Sequence, residues 1–265
     1  MAEAEAPVSV ILLAGQRHGV INPLAERAGV SHKCLVPIRG RPLIEHVLDT
    51  LTALPAIRDI RISLEEDAHA EVGALLTRYG SAPMPIALLP NAPNIVDSVL
   101  AAVGGDEGPF IVTTADNVLL TTDGVAQMRD ALMRADAVLG VTTKERVLAA
   151  HSEGQRNFYE FREGGYANCN IYGIANRKAL AAAEIFREGG QFQANAGRMV
   201  RAFGLFNIIL MRLGLISLPR GIERIGHRFG VEMRATIFED GALAIDVDNE
   251  RTYRVCEEIL IRRGG

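Results

Sequence analysis

Asp116 stands just past an apolar run, in Val112-Thr113-Thr114-Ala115-Asp116-Asn117. A carboxylate at the end of a buried strand is placed to hold a hard cation such as Mg²⁺ against a phosphate, because such ions take oxygen ligands and keep several waters. One carboxylate alone makes a weak site. Asp246 and Asp248 supply a second acidic cluster after a short apolar run, and, two positions apart, they share one side of an extended chain. Asp248 also suits an N-cap for the helical pattern that follows, so on spacing alone both roles stay open. The opposite charge comes from Arg17 and Lys33. In phosphoryl or nucleotidyl transfer a protein contributes position and electrostatic stabilisation, so cations at an α-phosphate and a departing pyrophosphate would be the catalysts. A solvated surface pair is the alternative. His18 and His32 flank the same loop without metal-motif spacing. No Gly-x-x-x-x-Gly-Lys-Ser/Thr element occurs, which argues against a P-loop enzyme, and no nucleophile elbow or Ser/His/Asp set stands out.

These residues need a scaffold, and the hydrophobic pattern supplies one. Val8 to Leu13 is a short apolar burst that breaks at Ala14-Gly15, and Lys33 leads through Pro37-Ile38-Arg39-Gly40 into a helical spacing over Pro42 to Leu54. Strands are expected at Asp59–Leu64, Ile86–Leu89, Phe110–Thr114 and Ala137–Thr143. Helices are expected at Ala68–Tyr79, Asn94–Val103 with Asn94 as N-cap, and Thr122–Ala135. Such alternation with short connections implies a mostly parallel sheet covered on both faces, with ligands at the carboxyl ends of its strands. Residues 15–33, 91–98 and 115–119 would then line one edge of one cleft.

Beyond Thr143 the rhythm changes. Phe158–Phe161 and Ala167–Ile174 read as two strands joined through Arg162-Glu163-Gly164-Gly165, followed by a helix over Arg177–Glu188. Phe203–Leu218 is almost wholly apolar, broken by Asn207 and Arg212, and too short for a confident membrane span. With Arg198, Arg201, Arg220, Arg224 and Arg228 around it, the segment suits a buried helical hairpin, a homodimer contact or an interfacial helix meeting anionic headgroups. The chain is expected to close with strands at Val231–Phe238 and Ala242–Ile245 and a helix over Glu250–Arg263. With 265 residues, no internal repeat and an ordinary globular composition, one domain over 1–265 with a helical insertion at 191–228 is the expected organisation. A net charge of -4 gives no basic field for nucleic acid. Three scattered cysteines without a CxxC pair point to a reducing cytoplasm, and the acidic start reads as a frayed tail rather than a signal peptide.

Taken together, Leu13-Ala14-Gly15 with Arg17, then Lys33-Cys34-Leu35-Val36-Pro37 and Gly40-Arg41-Pro42-Leu43-Ile44-Glu45, resemble the signature of nucleotidyltransferases with a glycosyltransferase-A-like fold, a Rossmann-like three-layer α/β sandwich. The group includes sugar-phosphate, methylerythritol-phosphate and molybdenum-cofactor nucleotidyltransferases. The resemblance implies a loop at Leu13, Ala14, Gly15 and Gln16 that wraps a triphosphate, with Lys33 and Arg17 stabilising its charge. It implies Mg²⁺ on Asp116 and Asp248 with Asp246 as neighbour, and nucleotide contacts from Asn94 and Ala115. Asp97-Ser98-Val99 is similar to the element that meets the base in cytidylyltransferases, which favours CTP and assigns Ser98 to the base. Asn168 and Asn170 resemble acceptor-side residues of sugar-phosphate members. On this reading 1–142 is the nucleotide half and 143–265 the acceptor half. The acceptor is a phosphorylated polyol, sugar or lipid headgroup, and the membrane contact would be peripheral, at the inner face. A guanylyltransferase, a sugar-phosphate nucleotidyltransferase and a non-catalytic nucleotide-binding or membrane-associated partner are the alternatives. The sequence departs from the family in carrying Gln16-Arg17-His18 where Gly-x-Gly-x-Arg is common, and Ile95 near a position where cytidylyltransferases often carry arginine.

Overall fold

The computed structural model describes residues 7–16, 22–186 and 215–264. The first half alternates as its hydrophobic pattern demands: β1 (Val8–Leu13), α1 (Pro23–Ala28), the hairpin β2 (Pro37–Ile38) and β3 (Arg41–Pro42), α2 (Leu43–Thr52), β4 (Ile57–Leu64), α3 (His69–Leu76), β5 (Ile86–Pro90), α4 (Ile95–Val103), β6 (Phe110–Thr114), α5 (Thr122–Leu132) and β7 (Ala137–Thr143). The second half adds α6 (Lys144–Ala150), β8 (Tyr159–Phe161), β9 (Gly164–Ile174), 3₁₀ turns at Arg177–Phe186, α7 (Leu218–Phe229), β10 (Met233–Ile237) and α8 (Glu250–Arg262).

The main sheet runs β10-β7-β9-β6-β1-β4-β5, with β8 beside β9. Pairings β1–β4, β1–β6, β4–β5 and β7–β10 are parallel, whereas β9 lies antiparallel between β6 and β7. This is the expected mostly parallel α/β sheet. Burial on both faces explains the unbroken apolar strands. In β1, Val8, Val10 and Leu12 join the core beneath α2, α5, α6 and α8, while Ile11 faces the opposite cluster with Val99 and Val103 of α4. Each such aliphatic side chain contributes about 1.5–3 kcal/mol of transfer free energy, an upper figure because the unfolded chain is itself partly compact.

Register sets the cleft. Leu13 pairs with Ser63 and with Thr114, so the ends of β1, β4 and β6 coincide at one edge. The β2–β3 hairpin turns on Arg39 and Gly40, both at positive φ (54 and 74°), a two-residue turn of the twist that suits strands.

Two expectations need correction. Ala242–Ile245 is not a strand; Gly241–Ala244 forms a 3₁₀ turn, capped by the Asp240 carboxylate accepting from Ala242 N–H (2.9 Å) and seated on the backbone of α6. The helix expected from Arg177 appears as 3₁₀ turns over its described part, to Phe186. α1 and α6 are helices that the hydrophobic pattern does not predict; α1 begins on the Asn22 cap and Pro23, and α6 on the Thr143 cap. Residues 203–214 of the apolar segment lie outside the described residues. Of its end, Ile216 and Leu218 are buried with Ile222 and Ile225 of α7 against Val141, Phe161 and Tyr166, while Arg220, Arg224 and Arg228 are exposed. Among the described residues no helix is long and apolar enough to cross a membrane.

Candidate active site

Asp116 follows β6 by two residues and reaches the carboxyl edge of the sheet as expected for a carboxylate after a central strand. Asp246 and Asp248 arrive from the far end of the sequence. The link is a main-chain hydrogen bond in which Val247 N–H donates to the Asp116 carbonyl (3.1 Å). The Val247 side chain is fully buried, so the two flanking aspartates project from the other side of the same short stretch. The cap role that stayed open for Asp248 belongs to its neighbour. Asn249 accepts from Arg251 N–H and Thr252 N–H, and Thr252 Oγ1 accepts from Asn249 N–H, a capping box that starts α8 and leaves the Asp248 carboxylate free of that duty.

One carboxylate oxygen from each of Asp116, Asp246 and Asp248 lies within 4.8 Å of the others. Lys33 enters the same cluster from a 3₁₀ turn whose Cys34 and Leu35 are buried, so the turn is anchored and its lysine directed inward. Its Nζ donates to Asp116 and, at 3.3 Å, to Asp248. Burial opposes the Lys33 charge, yet Asp116, Asp248 and Asp246 outweigh it and hold the ammonium above the ordinary lysine range. Burial, then Asp248 and Asp116, push the Asp246 carboxyl well above the usual carboxylate range. Asp116 Oδ1 is buried without a hydrogen-bond partner. Three hard oxygen donors, one of them orphaned, fit a divalent cation.

Asn170 joins this group through an irregularity in β9. Opposite Leu139–Val141 the register slips, and Asn170 takes φ of +50°, a left-handed conformation uncommon for residues other than glycine. Thr113 Oγ1 donates to the Asn170 carbonyl (2.9 Å) and Asn117 Nδ2 to the Cys169 carbonyl (3.0 Å), which hold the bulge in place. Asn170 Nδ2 then donates to Asp246 Oδ2 (2.9 Å), and Asn168 Nδ2 to Asn170 Oδ1 (2.9 Å). Both asparagines line a cleft of about 430 Å³ with Leu13, Asp116, Asp246 and Asp248.

Leu13, Ala14, Gly15 and Gln16 sit at the end of β1 on the same edge. A Cβ at Gly15 would stand 2.6 Å from Asn91 Nδ2, so any side chain there would have to displace that amide. The loop is tied down by Glu65, whose Oε1 accepts from Gln16 N–H (2.9 Å) and from Asn91 Nδ2 (2.7 Å). Sequence reasoning missed Glu65, because a carboxylate after β4 carries no motif. Asn94 caps α4 by accepting from Asp97 N–H, and Ser98 is buried with its hydroxyl accepting from Ala92 N–H (2.9 Å). These two therefore shape the 91–94 loop. Ala115 is buried and donates its N–H to the Leu13 carbonyl (2.9 Å). Arg17 and His18 lie outside the described residues.

The MobA-like NTP transferase domain family matches residues 10–197, more than half of the chain. The chain belongs to that family. It is a nucleotidyltransferase, and Lys33 on its 3₁₀ turn stands with Asp116, Asp246 and Asp248 near the carboxyl edge of the sheet, the edge at which open α/β folds take their ligands. A hypothetical transferase structure from Thermus thermophilus is similar over 93% of this chain and 99% of that one, with 28% identity and a TM-score of 0.74. The 4-diphosphocytidyl-2C-methyl-D-erythritol synthase of Anaerococcus prevotii DSM 20548 is similar over 97% of this chain and 100% of that one, with a TM-score of 0.62; at 11% identity the likeness is one of fold. No curated protein sequence matches the chain significantly.

Proposed function

We propose that this NTP transferase moves a nucleoside monophosphate from an NTP, CTP favoured, to a phosphorylated polyol, sugar or lipid headgroup in a Mg²⁺-dependent reaction. The observation that carries the reading is the convergence of Lys33 with Asp116, Asp246 and Asp248 on one strand edge. An oxygen of the acceptor phosphate attacks the α-phosphorus, forming a new P–O bond. The bond from the α-phosphorus to the bridging oxygen breaks, and its electron pair leaves with pyrophosphate. The acceptor phosphate is already an anion near neutral pH, so no protein nucleophile is needed. Asp116 and Asp248 would hold the Mg²⁺, with Asp246 beside them. When bound, it neutralises phosphate charge that the protein's carboxylates would otherwise repel. Lys33 stabilises charge developing at the α-phosphate, and Arg17 is assigned to the triphosphate on the family resemblance. Asn94 and Ser98 act by shaping the 91–94 loop against the base, and Asn168 and Asn170 face the acceptor. CTP is supported by the Asp97-Ser98-Val99 element.

A cytoplasmic setting is supported by three free, buried cysteines. Membrane or homodimer contact through 203–218 rests on the sequence of 203–214, because Ile216 and Leu218 are buried in the chain's own core. The test is pyrophosphate release with each NTP, Mg²⁺ and a set of phosphorylated polyols, sugars and lipid headgroups. We expect the largest signal with CTP and at least a 100-fold loss in Asp116→Asn, the scale on which electrostatic contributions to transfer chemistry act. A GTP preference would redirect the reading to a guanylyltransferase, and no turnover with any pair would leave a nucleotide-binding protein.

A further inference from the structure

A second cavity, about 360 Å³, opens beside the aspartate cluster and is lined by Gln155, Arg156, Asn157, Asp248, Arg251 and Thr252 together with Asn249. Gln155, Asn157 and Asp248 also line the main cleft, so the two spaces meet at a carboxylate of the cluster. The chemistry of the two is opposite. The main cleft runs onto Val141, Phe161, Leu218 and Ile222, whereas the second is walled by two guanidinium groups and by amides.

Arg156 is exposed and carries no ion pair among the described residues. Arg251, half-buried in the first turn of α8, spends Nη1 on the Glu153 and Gly154 carbonyls, which fixes the guanidinium without neutralising it. Burial and the Arg156 charge hold Arg251 below its ordinary range, against a weaker opposing effect of Glu153, Asp248 and Asp246. Two cations brought together in a partly desolvated space repel one another, and an anion between them relieves that repulsion. Guanidinium groups bind phosphate through paired N–H donors, so a phosphate is the anion this wall suits.

The position decides which phosphate. Among the described residues, none of Leu13–Gln16 or Asn91–Ser98 lines this cavity, whereas all of its lining comes from the loop between α6 and β8 and from the start of α8. We infer that this cavity receives the phosphomonoester of the acceptor, with Arg156 and Arg251 as its binding residues, and presents one phosphate oxygen past Asp248 toward the nucleotide. The inference rests on the nucleotidyl-transfer reading above and names the acceptor site within it.

The probe is inorganic phosphate, titrated calorimetrically into the full chain loaded with Mg²⁺ and the α,β-methylene analogue of CTP or GTP, whichever binds. In Arg156→Ala, phosphate affinity should fall about 10- to 100-fold, the worth of a charge-assisted hydrogen bond, with analogue affinity within about twofold of wild type. Arg156→Lys should recover part of the loss, which a change in packing would not do. Equal weakening of the analogue in Arg156→Ala would place the triphosphate tail in the cavity and overturn the assignment. So would phosphate affinity that is unchanged in both Arg156→Ala and Arg251→Ala, or wild-type protein that binds the analogue but no phosphate at millimolar concentration. Failure of wild type to bind either analogue would overturn the nucleotide reading itself, a result distinct from the others.

Discussion

Lys33 is the residue on which the site's charge balance turns. Its ammonium stands among three carboxylates, only 18% exposed, and fills the electrostatic role that a divalent cation would otherwise have. On the proposed mechanism a metal ion would compete with the lysine for the same oxygens, and nucleotide phosphates would offer the lysine a second partner. Lys33→Ala should destabilise the protein in EDTA by about 1–3 kcal/mol, below the range for a fully buried pair because the site is partly open to water. Added Mg²⁺ should then raise the melting temperature of the variant more than that of wild type. Equal shifts in a thermal melt would sink the competition. Pyrophosphate release should fall by about 100-fold or more in the same variant, since the proposed mechanism then lacks its cation at the α-phosphate.

At the scale of elements, the site depends on how α6 and α8 seat the stretch between β10 and α8. Gly241 lies against the α6 backbone so closely that a Cβ would stand 2.1 Å from the Arg146 carbonyl oxygen, and a backbone atom cannot swing aside. Gly241→Ala should cost about 2–3 kcal/mol through overpacking. It should also weaken Mg²⁺ binding, because Asp246 and Asp248 follow on the same rigid stretch, whose Val247 is docked under Asp116. A chemical denaturation curve and a Mg²⁺ titration check the two effects separately. A variant with wild-type stability would show that the turn can shift without cost.

For the whole molecule, one buried cluster runs from Val10 and Ile44 through Cys34, Cys169 and Ile171 to Cys256 and Ile259, joining the first and second halves of the chain. A single cooperative unit over 1–265 is the organisation we propose from it, and the cysteines report on it. Burial, and then Glu65, push the Cys34 thiol up to about 12, while burial raises Cys169 and Cys256 as well. The native protein at pH 8 should resist alkylation at all three positions, and on adding denaturant all three should label over the same concentration range. Early labelling of Cys34 alone would divide the molecule into separate units. The folded Cys34 binds its proton more tightly than the unfolded one. Its contribution to stability is therefore complete below about pH 9 and is lost between there and about pH 12, as the unfolded thiol ionises first.

The amino-acid sequence alone determined the alternation of strands and helices in the first half, the strand-end position of Asp116, and the family, because each depends on local periodicity and on residues close together in the chain. Phe110–Thr114 and Ala137–Thr143 appear as read, since apolar runs of that length have few other ways to be buried. Tertiary structure decided what distant segments do to one another. Ala242–Ile245 has the composition of a strand and became a turn because Asp240 caps it and α6 leaves no room beside Gly241. Asp248 reads as a cap by its local sequence until Asn249 and Thr252 take that role, and Glu65 has no signature until Gln16 and Asn91 meet it. Lys33 and Asp248 lie 215 positions apart in sequence, and only the closing of the sheet and the docking of α8 bring an ammonium and a carboxylate together.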